Sequence, residues 1–129
     1  MGRELKRILY VEDESDIRTI TAMALEAVGG FTVISCNSGM EALAAVPDAN
    51  ADLILLDVMM PGMDGMATLS ALRGLPQTAD TPVIFMTVKV QANEIQNYMR
   101  LGATDVIAKP FDPMNLSAQI GEIWQRVTG

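Results

Sequence analysis

The chain predicts a doubly wound α/β fold, a five-stranded parallel sheet with helices on both faces, and three observations carry that prediction. Five short apolar runs alternate along the chain with five segments of helical period. Such alternation gives parallel strands joined by helices, with the sheet covered on both sides. Four of the five runs end in polar residues of chemical interest, namely Glu12 and Asp13, Asp57, Thr87 and Lys109. In open parallel sheets polar sites form beyond the carboxyl ends of the strands, where the strand order reverses. At 129 residues, 50% of them apolar, the chain fits one domain over residues 1–129 with a single core.

The elements follow in order. Arg7 to Val11 reads as a buried strand leading into the acidic cluster Glu12-Asp13-Glu14. Ser15 and Asp16 open a helix with Ile17, Ile20, Ala24, Leu25 and Val28 at helical spacing, and Gly29-Gly30 stops it. Phe31 to Cys36 is a second strand. Ser38 and Glu41 have the spacing of a capping box, and the helix they start carries Ala42, Leu43 and Val46 before Pro47 closes it. Asp52 to Asp57 is a third strand, after which Asp64 caps a helix with Met66, Leu69 and Leu72 that ends at Gly74. Leu75 to Thr81 is a loop, and Pro82 to Thr87 a fourth strand. A helix over Gln91 to Leu101 is weakly amphipathic, with Ile95 and Met99 as its clearest apolar pair. Thr104 to Ala108 is the fifth strand. Asp112 and Pro113 then start a last helix lined on one side by Leu116, Ile120, Ile123 and Val127.

Composition narrows the function. A formal net charge of −7 disfavours a nucleic-acid-binding surface, because phosphate contacts dominate such affinity. The lone Cys36 lies in an apolar alternating stretch and reads as a buried thiol in a reducing compartment. No apolar run approaches the roughly 20 residues of a membrane span, and charged residues occupy the N-terminus where a signal peptide would be apolar. The expected setting is cytoplasmic, with no membrane association.

If the strand order is 2-1-3-4-5, the first and third strands are neighbours and Glu12, Asp13 and Asp57 converge. Converging carboxylates repel one another and raise each other's pKa unless a positive charge intervenes. A magnesium ion is the natural counter-charge, since it binds through one or two carboxylates and leaves positions for phosphate oxygens. Lys109 adds an ammonium and Thr87 a hydroxyl, so the constellation can hold a phosphoryl group with Asp57 as the attacking oxygen. Taken singly, Asp57 reads as a helix cap, Asp13 and Glu14 as solvated turn residues, Thr87 as a turn hydroxyl and Lys109 as a surface lysine. Their joint occurrence at the strand ends favours the functional reading.

The residues Tyr10-Val11-Glu12-Asp13-Glu14, Leu55-Leu56-Asp57 through Pro61-Gly62-Met63-Asp64-Gly65, Met86-Thr87 and Lys109-Pro110-Phe111 closely resemble the receiver domain of bacterial two-component response regulators, a flavodoxin-like fold. The resemblance implies that Asp57 accepts a phosphoryl group from a sensor histidine kinase or a histidine phosphotransfer protein. It implies magnesium held by Asp13, Asp57 and the carbonyl of Met59, with Glu12 acting largely through water, and phosphoryl contacts from Lys109 and Thr87. It also implies a regulator that assists its own phosphorylation and dephosphorylation, with a downstream protein docking on the face of the fourth helix, fifth strand and fifth helix. Ile95 and Trp124 mark that face.

Two positions depart from the family pattern. The aromatic residue whose rotation follows the threonine in that family is Val106 here, so ring rotation cannot occur at that place, and Val88 is bulkier than the usual small residue. Met59 and Lys89 occupy the positions that tune aspartyl-phosphate lifetime. A stand-alone regulator is the favoured expectation, an excised N-terminal domain the other. The rival function is a metal-dependent phosphohydrolase with an aspartyl nucleophile, disfavoured because Met59 stands where its general acid belongs.

Overall fold

A computed structural model describes residues 3–129. The strands are β1 (Arg7–Val11), β2 (Thr32–Cys36), β3 (Leu53–Asp57), β4 (Val83–Thr87) and β5 (Asp105–Ala108). The α-helices are α1 (Ser15–Ala27), α2 (Gly39–Ala49), α3 (Gly65–Arg73), α4 (Ala92–Arg100) and α5 (Pro113–Thr128), with a short 3-10 turn at Pro76–Thr78. All strand pairings are parallel, in the order β2-β1-β3-β4-β5. The predicted fold class is the observed one.

Alternate residues along each strand feed opposite faces, as the pleat requires. Leu9, Val11, Ile54, Leu56, Val83 and Phe85 pack toward one cluster with Ala42, Val46, Leu69, Leu72 and Tyr98 of α2, α3 and α4. Ile8, Tyr10, Leu53, Leu55, Ile84 and Met86 pack toward the other with Leu25 of α1 and Leu116, Ile120, Ile123 and Trp124 of α5. Every residue of β3 is buried, which explains why its sequence is apolar without alternation. Burying one such leucine is worth about 1.5–3 kcal/mol. Cys36 is buried as expected, and burial pushes its thiol up to about 11.

Several helix readings are corrected. Helix α2 runs through Pro47 to Ala49, because proline's fixed φ suits a helical turn and the chain reverses only at Asn50, whose φ is +49°. In α1 the buried residues are Thr21, Ala24 and Leu25, while Ile20 and Val28 are exposed. In α4 the buried anchor is Tyr98, and Met99 faces solvent. Val127 is exposed on α5, whereas Trp124 is buried on the α1 side of the sheet. Its indole N–H donates to the Arg3 carbonyl at 2.6 Å, and the Arg3 guanidinium lies over the ring. Trp124 therefore does not belong to the α4 face.

The 75–81 segment is fastened by a residue that pattern reading passes over. Arg73, at the end of α3, donates to the carbonyls of Thr78 (2.8 Å), Thr81 (2.7 Å) and Gly102 (2.9 Å), tying this segment and the turn before β5 to one guanidinium. Arg73→Ala strips a charged donor from three carbonyls and is expected to lower stability by about 2–3 kcal/mol. An unchanged urea midpoint would contradict that role.

Candidate functional site

The strand order places the chemistry. Val11 and Leu56 are paired across β1 and β3, so the next residues, Glu12 and Asp57, emerge side by side. Asp57 pairs with Met86 across β3 and β4, and Thr87 with Ala108 across β4 and β5, which brings Thr87 and then Lys109 to the same edge. Glu12, Asp13, Asp57, Met59, Thr87 and Lys109 line one cavity of about 540 Å³. Ile17, Ile20, Val88, Phe111 and Pro113 supply its apolar walls.

The turn after β3 depends on two glycines. Gly62 has a φ of +70°, a conformation that a side chain disfavours. Gly65 brings the start of α3 so close to β3 that an added Cβ would lie 2.5 Å from the Asp57 carbonyl oxygen and 2.6 Å from Val58 Cα. Asp64 then caps α3, accepting from the Ala67 N–H at 2.8 Å. The stretch after Asp57 is thus held at both ends.

Glu12, Asp13 and Asp57 each present a carboxylate oxygen within 4.8 Å of the others. Lys109 Nζ donates to Glu12 Oε1 at 2.9 Å and lies 3.2 Å from Asp57 Oδ1. One ammonium thus serves two of the three carboxylates. Burial, reinforced by Glu12, pushes the Asp57 carboxyl up to about 7 against the opposing pull of Lys109. Burial also works against the charge of Lys109, but Glu12 and Asp57 outweigh it and hold its pKa above the ordinary lysine value. A hard divalent cation with a preference for oxygen ligands fits this donor set. Met59 contributes its N–H, which donates to Asp57 Oδ1 at 3.3 Å, while its side chain is exposed on the cavity rim.

Thr87 is fully buried, and its hydroxyl oxygen accepts the Lys89 N–H at 3.0 Å. The Lys109 N–H donates to the Thr87 carbonyl at 2.9 Å, locking the ends of β4 and β5 together. Val88 stands exposed at the rim. Sequence reasoning missed Arg18, whose Nη1 donates to the Glu12 carbonyl at 2.8 Å and the Asp13 carbonyl at 3.4 Å. A cation one helical turn beyond an acidic strand end was the available signal.

An acid-lined cleft facing a lysine and a hydroxyl, at the carboxyl edge of a 2-1-3-4-5 sheet, defines a class of α/β signalling domain that accepts phosphoryl groups. Residues 8–121 match the response regulator receiver domain, and the chain belongs to that family, the phosphoacceptor switches of two-component signalling. It is 38% identical over 122 residues to the phosphate regulon transcriptional regulatory protein PhoB of Pseudomonas aeruginosa, covering 94% of this chain and 52% of that protein. It is 39% identical over 122 residues to the transcriptional regulatory protein CpxR of Escherichia coli, covering 95% and 50%. The chain therefore spans about half the length of these relatives. Among solved structures, the Vibrio cholerae chemotaxis protein CheY4 superposes with a TM-score of 0.86 at 31% identity, covering 93% of this chain and 99% of that one.

These comparisons do not support the phosphohydrolase alternative. Receiver domains interact with histidine kinases and generally bind magnesium at an acidic pocket. Because the relatives named above are transcriptional regulators, the expected absence of nucleic-acid contact is not confirmed. Among the described residues, no helix is long and apolar enough to cross a membrane.

Proposed function

We propose that Asp57 is the phosphoacceptor, receiving its phosphoryl group from the histidine of a sensor kinase or a histidine phosphotransfer protein. The observation that carries this reading is the arrangement of Glu12, Asp13 and Asp57 around one point, with Lys109 reaching two of the three. Asp57 Oδ1 already engages Lys109 and the Met59 N–H, which makes Oδ2 the nucleophile. It attacks phosphorus in line; the new P–O bond forms as the P–N bond to the donor imidazole breaks, and the imidazole leaves with the bond's electron pair. Held by Asp13, Asp57 and the Met59 carbonyl, with Glu12 acting through water, magnesium would neutralise charge on the phosphoryl oxygens. Lys109 stabilises the same charge from the other side, and the Thr87 hydroxyl donates to a phosphoryl oxygen.

Incubation with acetyl phosphate and magnesium tests the reading by intact mass. A gain of one phosphate that is absent in Asp57→Asn supports it; an equal gain in Asp57→Asn overturns it.

Dephosphorylation is assisted by the same site, with its rate tuned by Met59 on the rim and by Lys89 two residues beyond Thr87. Both side chains are exposed. An ammonium at Lys89 can hold a phosphoryl oxygen and obstruct water, an exposed interaction worth about 0.2–1 kcal/mol. Lys89→Ala is therefore expected to speed dephosphorylation roughly two- to fivefold. An unchanged rate refutes the assignment.

Output is through a protein partner on the α4, β5 and α5 face. Met99 and Leu101 are exposed there, and an Arg126–Asp105 ion pair joins α5 to β5.

A further inference from the structure

We propose that Tyr98 is the residue through which the state of the Thr87 hydroxyl reaches α4. The proposal rests on the phosphoacceptor reading above and adds the path by which the signal leaves the site. Lys89 joins the two side chains through its own backbone. Its N–H donates to Thr87 Oγ1 at 3.0 Å, and its carbonyl accepts from the Tyr98 hydroxyl at 3.1 Å. A single residue therefore carries both bonds.

Tyr98 is well placed to act on the helix that bears it. It is the buried residue of α4, 4% exposed, so the seating of this helix on the sheet centres on one ring. That ring meets Phe85 edge to face, with centroids 5.3 Å apart and planes at 83°. Phe85 lies on β4 two residues before Thr87, and its partner across the sheet is Val106. Val106 packs against the same cluster but has no polar atom with which to register a change at Lys89. The tyrosine hydroxyl is the polar end of this packing.

The coupling follows from hydrogen-bond geometry. Thr87 Oγ1 accepts from the Lys89 N–H and keeps its own proton to donate, so serving a phosphoryl oxygen disturbs this bond by drawing the hydroxyl toward Asp57 and lengthening its contact with the Lys89 N–H. That amide then has to find a new partner, and the Lys89 peptide turns to do so. Val88, Lys89 and Val90 are exposed, so little packing resists the turn. The turn changes φ at Lys89 and draws the following peptide, which bears the Lys89 carbonyl, along with it, so the Tyr98 hydroxyl must follow or release its acceptor. In either case the ring that seats α4 changes position relative to Phe85. By reciprocity, a partner that holds α4 with the Tyr98–Lys89 bond broken favours the phosphoryl-facing Thr87.

Amide and aromatic NMR of the full chain tests this, with magnesium and beryllofluoride as the phosphoryl analogue. In the unsubstituted protein the Tyr98 ring signals and the amides of 92–100 are expected to shift together with those of Asp57 and Thr87. Tyr98→Phe keeps the ring and removes only the hydroxyl. It is expected to leave the Asp57 shift intact while the α4 amides lose most of theirs. An unchanged α4 response in Tyr98→Phe overturns the proposal, as do stationary Tyr98 ring signals in the unsubstituted protein, a measurement that needs no variant to fold. Absence of any shift at Asp57 and Thr87 in the unsubstituted protein would instead overturn the phosphoacceptor reading beneath it.

Discussion

Asp57→Asn is expected to gain no phosphate mass from acetyl phosphate and magnesium, because the amide lacks the anionic oxygen that attacks phosphorus. The substitution keeps size and shape, and Asn Oδ1 can still accept from Lys109 and the Met59 N–H. Loss of reaction will therefore not reflect loss of fold. The same variant carries a second signature. Burial and Glu12 raise the folded Asp57 carboxyl from 3.8 to about 7, so with divalent metal chelated the folded state holds a proton that the unfolded chain has released. Stability contributed by that proton is present below about 4 and is lost as pH rises through about 7. Urea unfolding across this range should show that decline in the unsubstituted protein and a flatter profile in Asp57→Asn. Equal slopes would remove the buried-proton account.

Lys109→Met is expected to lower stability by about 3 kcal/mol, since it leaves two buried carboxylates without their shared ammonium. Glu12 and Asp57 are nearly inaccessible, with side-chain exposures of 1% and 2%, so solvent replaces the lost charge poorly. The same change should slow phosphoryl uptake by about 100-fold, the usual cost of removing a preorganised charge from a transition state. Urea unfolding measures the first effect. The rate of mass gain under acetyl phosphate, below the unfolding transition, measures the second. A variant as reactive as the parent would place Lys109 outside the reaction.

The strands and the site were legible in the sequence for one shared reason. A parallel strand buried on both faces has to be an apolar run, and a polar residue at its end has to surface at the carboxyl edge. Leu53 to Asp57 shows both at once, and the same logic brought Glu12, Asp13, Thr87 and Lys109 to one edge without any knowledge of contacts. The helices were harder to read. Apolar spacing pointed to Ile95 and Met99 in α4, but the sheet beneath offered Phe85, and an aromatic ring with a reachable carbonyl displaced them from the core. Trp124 was misplaced because periodicity identifies a stripe without saying which neighbour covers it; the Arg3 carbonyl decided that. Arg18 and Arg73 escaped notice because both grip main-chain carbonyls, which leave no trace in side-chain patterns.

The position of β3 has a further consequence. It is hydrogen-bonded to β1 on one side and β4 on the other, and none of its residues is exposed to solvent. Segments with these properties open last as a protein fluctuates, at free energies approaching global unfolding, while exposed loops open first. The Asp57 carboxylate therefore stands on the least yielding element of the molecule, and the stretch from Val88 to Gln91 is exposed and lies outside the sheet and helices. On the proposals made above, chemistry and response draw on opposite ends of the local-stability scale, so the loop can reorganise many times while the carboxylate keeps its place.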